Sequence, residues 1–426
     1  MNEDIGNKLT YLANRLREKL WFKPLIIGLI SIATVLISKA ADVTGLWGFS
    51  PDVSVTSLDK LLSIMASSMM MVATFSVGSM LAAYSSAGNS ASPRSFRLLV
   101  ADDSSQHALS AFVGAFIFSI VGLVAVDNDF FGPNGIFVLF IFTLIVFGIV
   151  IIVFVRWMDR IARLGRMNNT LDKVESATTE ALKYYARFPL HNAHPIKSEF
   201  PSDFAVTARA TGYIQHIDLV ALQKWAKETN AKMQVNVLPG SYVTPAHELA
   251  RVNFEKAPPK KVLLSQAEEA FKIGKERMYD DDPRFGLIVL SQIAGRALSP
   301  AVNDPGTAID VIGIQVRLLV QWNAERQLYR QRQKNKPVYD RIHMPELSVS
   351  DMFDDAFTAI ARDGRGAIEV VVRLLKGLAS LNALGDSDVR KASEHSARNA
   401  LLRAENSLFL EEEVNRVRRL SELNQF

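Results

Sequence analysis

The chain of 426 residues contains no cysteine, so disulfide bonds, thiolate catalysis and metal sites built on cysteine are excluded. It also carries little excess charge. The formal net charge is +4, and no basic face interleaved with aromatic side chains stands out. Nucleic-acid binding is therefore not expected. The lack of cysteine fits either side of a membrane and does not locate the protein.

Common catalytic signatures are missing as well. The sequence has no nucleophile elbow, no phosphate loop of the Gly-x-x-x-x-Gly-Lys type and no His-Glu-x-x-His helix. The seven histidines are scattered, and the pair His191 and His194 has no third ligand at a diagnostic spacing. We therefore predict no catalytic residue, no metal and no cofactor, and an enzyme is the least favoured class. An active site assembled from distant residues would escape this test.

Long apolar runs are present, but they are confined to one part of the chain. Residues 22–156 hold nearly all of them, whereas residues 157–426 have the polar composition of a soluble protein. A membrane-spanning helix needs about 20 mostly apolar residues. Four segments qualify, at about residues 24–40, 61–84, 109–126 and 135–155. The sequence therefore predicts an all-α membrane domain of four transmembrane helices.

The segment before the first span is polar but places apolar residues at helical spacing. They are Ile5, Leu9, Leu12 and Leu16. This pattern predicts an amphipathic helix that lies on the membrane surface. No small-residue cleavage site follows the first apolar run, so we interpret that run as a retained span.

Charged residues flank the spans asymmetrically. The basic residues cluster before span one, between spans two and three, and after span four, at Lys8, Arg15, Arg17, Lys19, Lys23, Arg94, Arg97, Arg156, Arg160, Arg163 and Arg166. The other two loops carry five aspartates and a single basic residue, Lys60. Positive residues mark the cytoplasmic side, so both termini are expected in the cytoplasm.

The second span has an unusual composition. Its small and hydroxylated residues include a helical stripe of Ser67, Met71, Thr74 and Gly78. Such a stripe is typical of tight helix packing, and it can also line a pore or a substrate route in a homo-oligomer. No ionisable residue lies within the hydrocarbon depth of spans two to four, which argues against a proton-relay pump.

The third span and the loop before it suggest further roles. A small-residue edge on this span, at Ala111, Ala115, Ser119 and Gly122 with Gly114 beside it, predicts close packing against span two. In the loop, Asp102 or Asp103 is predicted to cap the span. Arg94 and Arg97 are candidates for contact with lipid phosphates.

The soluble part divides by composition into three regions. We predict a helical stalk and linker, a small β-rich module and a C-terminal helical domain, at residues 157–202, 203–262 and 263–426. Short strands are expected between residues 204 and 252, with Asp218 capping a helix between them. Helices are expected at about 266–278, 284–298, 307–330, 349–381 and 386–423, with a proline-containing linker at 331–348.

Two polar clusters in this part allow alternative interpretations. Arg296, Ser299, Asn303 and Asp304 surround a proline-containing break between helices. They are typical of helix capping with a rigid turn, and they could also form a ligand or anion site or an inter-subunit contact. The triplet Asp280 to Asp282 could bind a divalent cation or could simply be solvated.

Four strings together resemble a known family. They are Gly212 to Gln215, Pro239 to Val243, Asp282 to Gly286 and Arg296 to Ala308, and the Ser-Pro-Arg loop after span two adds to them. The chain resembles a bacterial family of membrane proteins described as a domain of unknown function, although Ala246 stands where a glycine is common. The resemblance implies a multi-pass protein of the inner membrane and implies no activity.

The expected fold is therefore a four-helix membrane domain followed by a cytoplasmic α+β region. The favoured function is a homo-oligomeric channel or transporter, with span two lining the pore and the cytoplasmic region regulating it. The alternative is a non-conducting scaffold or sensor whose cytoplasmic domain binds a ligand or a partner protein. The expected partners are the lipid bilayer, further copies of the chain, and an ion or small molecule.

Overall fold

The computed structural model describes residues 22–44, 53–90, 92–95, 98, 103–163, 166–202, 204–255, 264–332 and 337–423. The chain forms two compact units, Met1–Thr170 and Leu171–Phe426. Three predictions lie outside the described residues: the amphipathic helix of residues 1–21, the lipid contact of Arg97 and the cap by Asp102. The side chain of Asp103 is likewise not described.

The first unit contains the predicted spans. Its helices are α1 (Phe22–Thr44), α2 (Val55–Ser90), α3 (Asp103–Asp127) and α4 (Pro133–Arg163). Within the described residues, these four are long and apolar enough to cross a membrane. The prediction of four transmembrane helices is confirmed. Each helix extends beyond its predicted apolar segment because polar residues at both ends continue the backbone hydrogen bonding.

Helix α3 packs against all three other helices of this unit. Its buried Phe112 and Phe118 belong to two apolar clusters that also take in side chains of α2 and α4. The small residues do allow close approach, as predicted. A Cβ on Gly122 would lie 3.3 Å from Leu62 of α2, whereas one on Gly114 would lie 2.3 Å from Ile27 of α1. The small-residue edge therefore serves two neighbouring helices and not span two alone.

One long-range polar contact stands out in this unit. The carboxylate of Asp42, near the end of α1, accepts hydrogen bonds of 2.7 Å from the backbone N–H groups of Gly132 and Gly135. These donors belong to the first turn of α4 and the residue before it, where backbone N–H groups have no partner within the helix. Asp42 thus caps a helix about ninety residues away in the sequence.

The second unit combines eight strands with helices. In chain order its elements are α5 (Met167–Arg187), β1 (Ala193–Pro195), β2 (Phe204–Thr207), β3 (Gly212–Ile217), α6 (Leu219–Glu228), β4 (Ala231–Val235), β5 (Tyr242–Val243), β6 (Glu248–Phe254), α7 (Leu264–Glu269), β7 (Phe271–Gly274), α8 (Pro283–Ala297), α9 (Pro305–Arg332), β8 (Tyr339–Met344), α10 (Val349–Phe353), a π-helical turn (Asp354–Thr358), α11 (Ala359–Asp363), α12 (Ile368–Asn382), α13 (Ser387–Glu405) and α14 (Glu411–Leu423). Helix α5 begins four residues before the boundary of the unit.

The strands form two sheets. The larger sheet has the order β1-β8-β4-β6-β2, and the smaller has the order β5-β3-β7. Strand β8 is parallel to both of its neighbours, whereas β3 is antiparallel to β5 and β7. A single apolar core, which includes Leu222 and Trp225 of α6, lies between the sheets and this helix. Asp218 accepts a 2.9 Å hydrogen bond from the N–H of Ala221, which confirms the predicted helix cap.

Two sequence predictions are wrong in this unit. Residues 266–278 are not one helix, because α7 ends at Glu269 and β7 follows at Phe271–Gly274. Residues 331–348 are not only a linker, because β8 completes the larger sheet between β1 and β4. Both strands are short and find their partners far away in the sequence, so a local pattern gives no sign of them.

Three predicted helices are also shorter than expected. The segment 349–381 is interrupted where Gly364 and Gly366 frame a turn, since glycine favours helix ends. The segment 386–423 is interrupted between α13 and α14. The stalk predicted to continue span four is described as α4 and α5, and residues 164–165 between them lie outside the described part.

Candidate functional site

A cavity of about 190 Å³ lies within the second unit. Five segments line it: the end of α5 with the turn that follows it, the junction of β3 and α6, Pro239, Asp281, and both ends of β8. The cavity therefore forms only when strands and turns from across the unit come together. Its lining includes two histidines, two aspartates and two tyrosines among apolar side chains.

A histidine–aspartate pair lies in this lining. His216, near the end of β3, places its Nδ1 2.5 Å from Oδ2 of Asp281, which precedes α8. The two residues are 65 positions apart in the sequence. The hydrogen bond to Asp281 raises the pKa of His216, and burial opposes it only in part. The pairing therefore favours the imidazolium form of His216, which donates to the carboxylate.

A second histidine is buried beside this pair. The His191 side chain is 8% exposed, and within the described residues its Nε2 has no hydrogen-bond partner. Burial lowers the pKa of His191 to about 4, so the ring is neutral at physiological pH. His191 and Asn192 both have positive φ angles, of 50° and 61°, in the turn after α5. A buried polar atom without a partner is uncommon and is often found at functional sites.

Two tyrosines of α5 hold this turn in place. The ring centroid of His191 lies 4.7 Å from the ring centroid of Tyr185 and 5.4 Å from that of Tyr184. The Tyr185 hydroxyl donates a 3.0 Å hydrogen bond to the backbone oxygen of Asp281. Burial raises the pKa of Tyr185 well above its ordinary value, so this hydroxyl stays protonated and remains a donor.

The next residue, Asp282, anchors the same turn from the other side. Its carboxylate accepts two hydrogen bonds from Arg277, of 2.6 and 2.9 Å, and a third from the N–H of Phe285 at the start of α8. Burial raises the pKa of Asp282, although Arg277 counteracts this. Gly240 has a φ of +90°, and a Cβ there would lie 2.3 Å from Asp282. The Pro239–Gly240 turn can therefore pack directly on Asp282 only because position 240 is a glycine.

The acidic triplet thus separates into three environments. Asp280 is exposed, Asp281 pairs with His216, and Asp282 pairs with Arg277. Within the described residues no group of three or more metal-ligating side chains could hold a metal ion. The divalent-cation interpretation of Asp280 to Asp282 stays a prediction, and two of its three carboxylates already have cationic partners in the protein.

The string that follows the triplet builds the neighbouring helix contacts. Arg284 donates hydrogen bonds of 2.6 Å to Asp351 and to Asp355, which lies in the π-helical turn. Gly286 lies so close to α5 that a Cβ would be 1.9 Å from Oγ1 of Thr178. Three residues of the Asp-Pro-Arg-Phe-Gly string therefore have structural roles. Asp282 caps α8, Arg284 forms an ion-pair network, and Gly286 allows the close contact with α5.

The pore candidates lie on the outer face of α2. Ser67, Met71, Thr74 and Gly78 are all exposed within the first unit, and Met71 is 74% exposed. Ser67 donates to the backbone oxygen of Ser63 and Thr74 donates to that of Met70, both at 2.9 Å. These hydroxyl groups are satisfied by their own helix. The face is available to lipid or to another copy of the chain, so pore lining stays a prediction.

The second set of candidates forms the turn between α8 and α9. Asp304 accepts hydrogen bonds from the backbone N–H and the hydroxyl of Thr307, of 3.0 and 2.6 Å, at the start of α9. Ser299 donates to the backbone oxygen of Arg296 at 2.7 Å, and Asn303 has a φ of 50°. These contacts account for capping and for a rigid turn. A ligand or interface role for this exposed turn stays a prediction, and so does a lipid contact for Arg94, which is exposed.

Sequence reasoning missed His191, His216 and Asp281 as a group. The one available signal is their position next to the family-like strings: His216 follows Gly212–Gln215, and Asp281 precedes Asp282–Gly286. Pro239, at the start of a third string, also lines the cavity. His194, which the sequence pairs with His191, instead lies with its ring centroid 5.3 Å from that of His343.

Four membrane-spanning helices followed by a soluble unit with a polar cavity define a multi-pass membrane protein. The chain belongs to the family described as "Predicted membrane protein (DUF2254)", whose sequence pattern matches residues 17–380. The expected family resemblance is therefore confirmed.

Relatives with partial similarity are known from mycobacteria. The chain is 34% identical over 105 residues to "Uncharacterized protein MT1328" of Mycobacterium tuberculosis and to "Uncharacterized protein Mb1321c" of Mycobacterium bovis. Each match covers 24% of this chain and about a fifth (20%) of the length of the relative. No solved structure matches the chain.

Proposed function

We propose that this protein is a membrane-anchored sensor whose soluble unit binds a small ligand in the cavity around His216 and Asp281. The observation that carries the proposal is the cavity itself, where segments from across the unit bring together the His216–Asp281 pair, His191 and two tyrosines.

The proposal also assigns an orientation. The basic residues around the spans support a multi-pass protein of the inner membrane with both termini and the soluble unit in the cytoplasm. The cysteine-free sequence allows a direct test with single cysteines and a membrane-impermeant maleimide. Asp127→Cys, at the exposed end of α3, should be labelled on spheroplasts. Lys391→Cys, on α13, should be labelled only after permeabilisation, and the reverse pattern contradicts the assigned orientation.

Ligand binding can be tested without disturbing the core. Val220 lies at the cavity and is 67% exposed, so Val220→Trp should obstruct the entrance while the protein still folds. The full chain in nanodiscs would be screened by thermal shift against a library of small polar metabolites. Compounds that stabilise the parent chain but not Val220→Trp support the proposal.

The matched control is Val302→Trp, which adds the same bulk to the exposed turn between α8 and α9. This variant should respond to the compounds like the parent chain. A library with no stabilising compound, or with compounds that stabilise both tryptophan variants equally, contradicts a ligand site in this cavity.

A second candidate function is conduction by a homo-oligomer. It is favoured by the exposed face of α2, where Ser67, Thr74 and Gly78 interrupt an otherwise apolar surface. In proteoliposomes, ion flux that is blocked when Thr74→Cys reacts with a charged thiol reagent would support it. Leu144→Cys, on the exposed face of α4, is the control. A reconstituted protein without flux contradicts conduction and leaves the sensor proposal intact.

A further inference from the structure

The charges around the cavity indicate which class of ligand it accepts. We infer that the ligand is a small organic cation that carries an ammonium or guanidinium group. This inference rests on the proposed function and names the ligand class of the same site. It is carried by the arrangement of carboxylates and aromatic rings in the lining.

The lining is acidic overall. It contains the carboxylates of Asp218 and Asp281 and a single cationic side chain, His216, which is already bonded to Asp281. Among the described residues that line the cavity there is no lysine or arginine. Lys272 lies opposite His216 in the register of β3 and β7, but it is exposed and does not line the cavity. The two carboxylates therefore outnumber the one side chain of the lining that favours a positive charge.

An anionic ligand would be disfavoured by the carboxylates of this cavity. The N-terminus of α6 reaches the lining, and a helix N-terminus is a common site for anions. Here the carboxylate of Asp218 accepts the N–H of Ala221 at 2.9 Å. An approaching phosphate or carboxylate would meet this negative charge beside the helix end.

A cation would find acceptors and ring faces. Asp281 accepts from His216 through Oδ2, which leaves Oδ1 to accept from an ammonium group. Tyr184 and Tyr339 add aromatic rings to the lining, and cations are attracted to the faces of such rings.

The size of the cavity narrows the class further. A volume of about 190 Å³ is enough for a small amine. The apolar side chains of Ile217, Leu219 and Met344 would contact the hydrocarbon part of such an amine.

The test uses the full chain in nanodiscs at fixed ionic strength and three classes of probe. The cations are choline, putrescine and agmatine, the neutral probes are glycerol and inositol, and the anions are phosphate and acetate. Binding would be measured by calorimetry and by thermal shift. At least one cation should bind, and the neutral and anionic probes should not.

Matched variants locate the binding. Asp281→Asn should weaken cation binding at least tenfold, and Asp218→Asn should weaken it less because asparagine preserves the helix cap. Asp280→Asn, which changes the exposed neighbour, should leave binding unchanged. Cation binding that is equal in all three variants overturns the inference, because the cation then binds elsewhere.

The remaining outcomes separate this inference from the proposed function. Binding of a neutral or anionic probe that Val220→Trp abolishes overturns the cation class and supports the ligand site. Binding of no probe in any class overturns both. Nanodiscs with and without phosphatidylethanolamine distinguish two sources of the ammonium group, since a lipid headgroup in the site would compete with the soluble cation.

Discussion

The two units of the molecule satisfy their polar groups over different distances along the chain. In the membrane unit, buried hydroxyl groups donate to the carbonyl four residues earlier, as Ser76, Ser119 and Thr143 do. In the soluble unit, the side chains that build the cavity bond across 65 and 96 residues. Lipid offers no hydrogen bonds, so a membrane helix must satisfy its polar groups within the protein, and the nearest acceptors are its own carbonyls.

This difference explains what each unit can do. Local hydrogen bonds leave the outer surface of the spans apolar and able to face lipid or another helix. Long-range hydrogen bonds create a site only after the whole soluble unit has folded. Among the described residues of the membrane unit, Asp42 departs from this pattern, because it joins the end of α1 to the start of α4. The following changes test how far the comparison holds, from the largest expected effect to the smallest.

Loss of the Asp282 carboxylate should have the largest effect. Asp282→Ala leaves the partly buried Arg277 without its partner and removes the cap of α8. Breaking a buried ion pair costs about 3 to 5 kcal/mol. The thermal unfolding midpoint of the soluble unit in the full chain should fall by on the order of 10 °C. Asp280→Ala is the matched control and should have almost no effect. Equal midpoints for the two variants would show that the Arg277–Asp282 pair contributes little to the stability of the soluble unit.

Acid should destabilise the soluble unit through His191. Its folded-state pKa, about 4, lies below the value of 6.5 that it has when unfolded, so the unfolded state binds more protons between these values. The stability due to neutral His191 is therefore complete above pH 6.5 and is lost as the pH falls towards 4, by about 3 kcal/mol in total. The stability that His216 contributes depends on pH in the opposite sense, because its pKa is raised in the folded state. This stability is complete below pH 6.5, so it does not change as the pH falls towards 4.

The measurement compares unfolding midpoints of the parent chain and His191→Asn between pH 7 and pH 4.5. Asparagine tolerates the positive φ at this position and does not titrate. Its midpoint should fall less steeply with acid than that of the parent chain. Parallel curves would mean that His191 does not titrate differently in the folded and unfolded states.

Closer packing of α5 and α8 should have an intermediate effect. Gly286→Ala places a Cβ against Thr178, and overpacking of this kind costs about 1 to 3 kcal/mol. The control is Gly366→Ala, where no atom lies within 4 Å of the new Cβ. Chemical denaturation of the full chain should separate the two variants. A Gly286→Ala protein as stable as the control would show that the two helices can move apart at little cost.

Removal of the Asp42 cap should have the smallest effect of the four. Asp42→Ala leaves two backbone N–H groups at the start of α4 without their acceptor, and loss of a helix cap costs about 0.5 to 2 kcal/mol. Asp127→Ala, at an exposed position in the same loop region, is the control. The readout is the rate of proteolysis of the loop between α3 and α4. If both variants are cut equally fast, long-range bonding is dispensable in the membrane unit.

How much of the fold can be predicted from the sequence depends on the same contrast between contacts that are near and contacts that are distant along the chain. Spans are defined by twenty or so neighbouring residues, and all four were found from length and hydropathy. The strands around Asp218 and the cap itself were found from alternation and turn chemistry. By contrast, the local sequence predicts a helix where β7 forms and a linker where β8 forms, because each is stabilised as a strand only by pairing with distant segments.

The candidate site was missed for a related reason. Nothing within ten residues of His216 marks it as a partner of Asp281, and the turn of Asp280 to Asp282 looks like a solvated surface cluster. Only the fold assigns one aspartate to a histidine and the next to an arginine. The cap at Asp304 was found, since capping depends on residues three positions apart.

Asp281 and Asp282 are covalent neighbours with separate tasks, and this adjacency has a mechanical consequence. The first contacts the cavity, and the second fixes the start of α8, a helix of 15 residues. Such a helix is about 22 Å long, so a tilt of about 10° at its start displaces its far end by about 4 Å. Any tilt of α8 caused by a displacement of the cavity wall at Asp281 would therefore move the exposed turn that contains Ser299 and Asp304 more than the cavity wall itself.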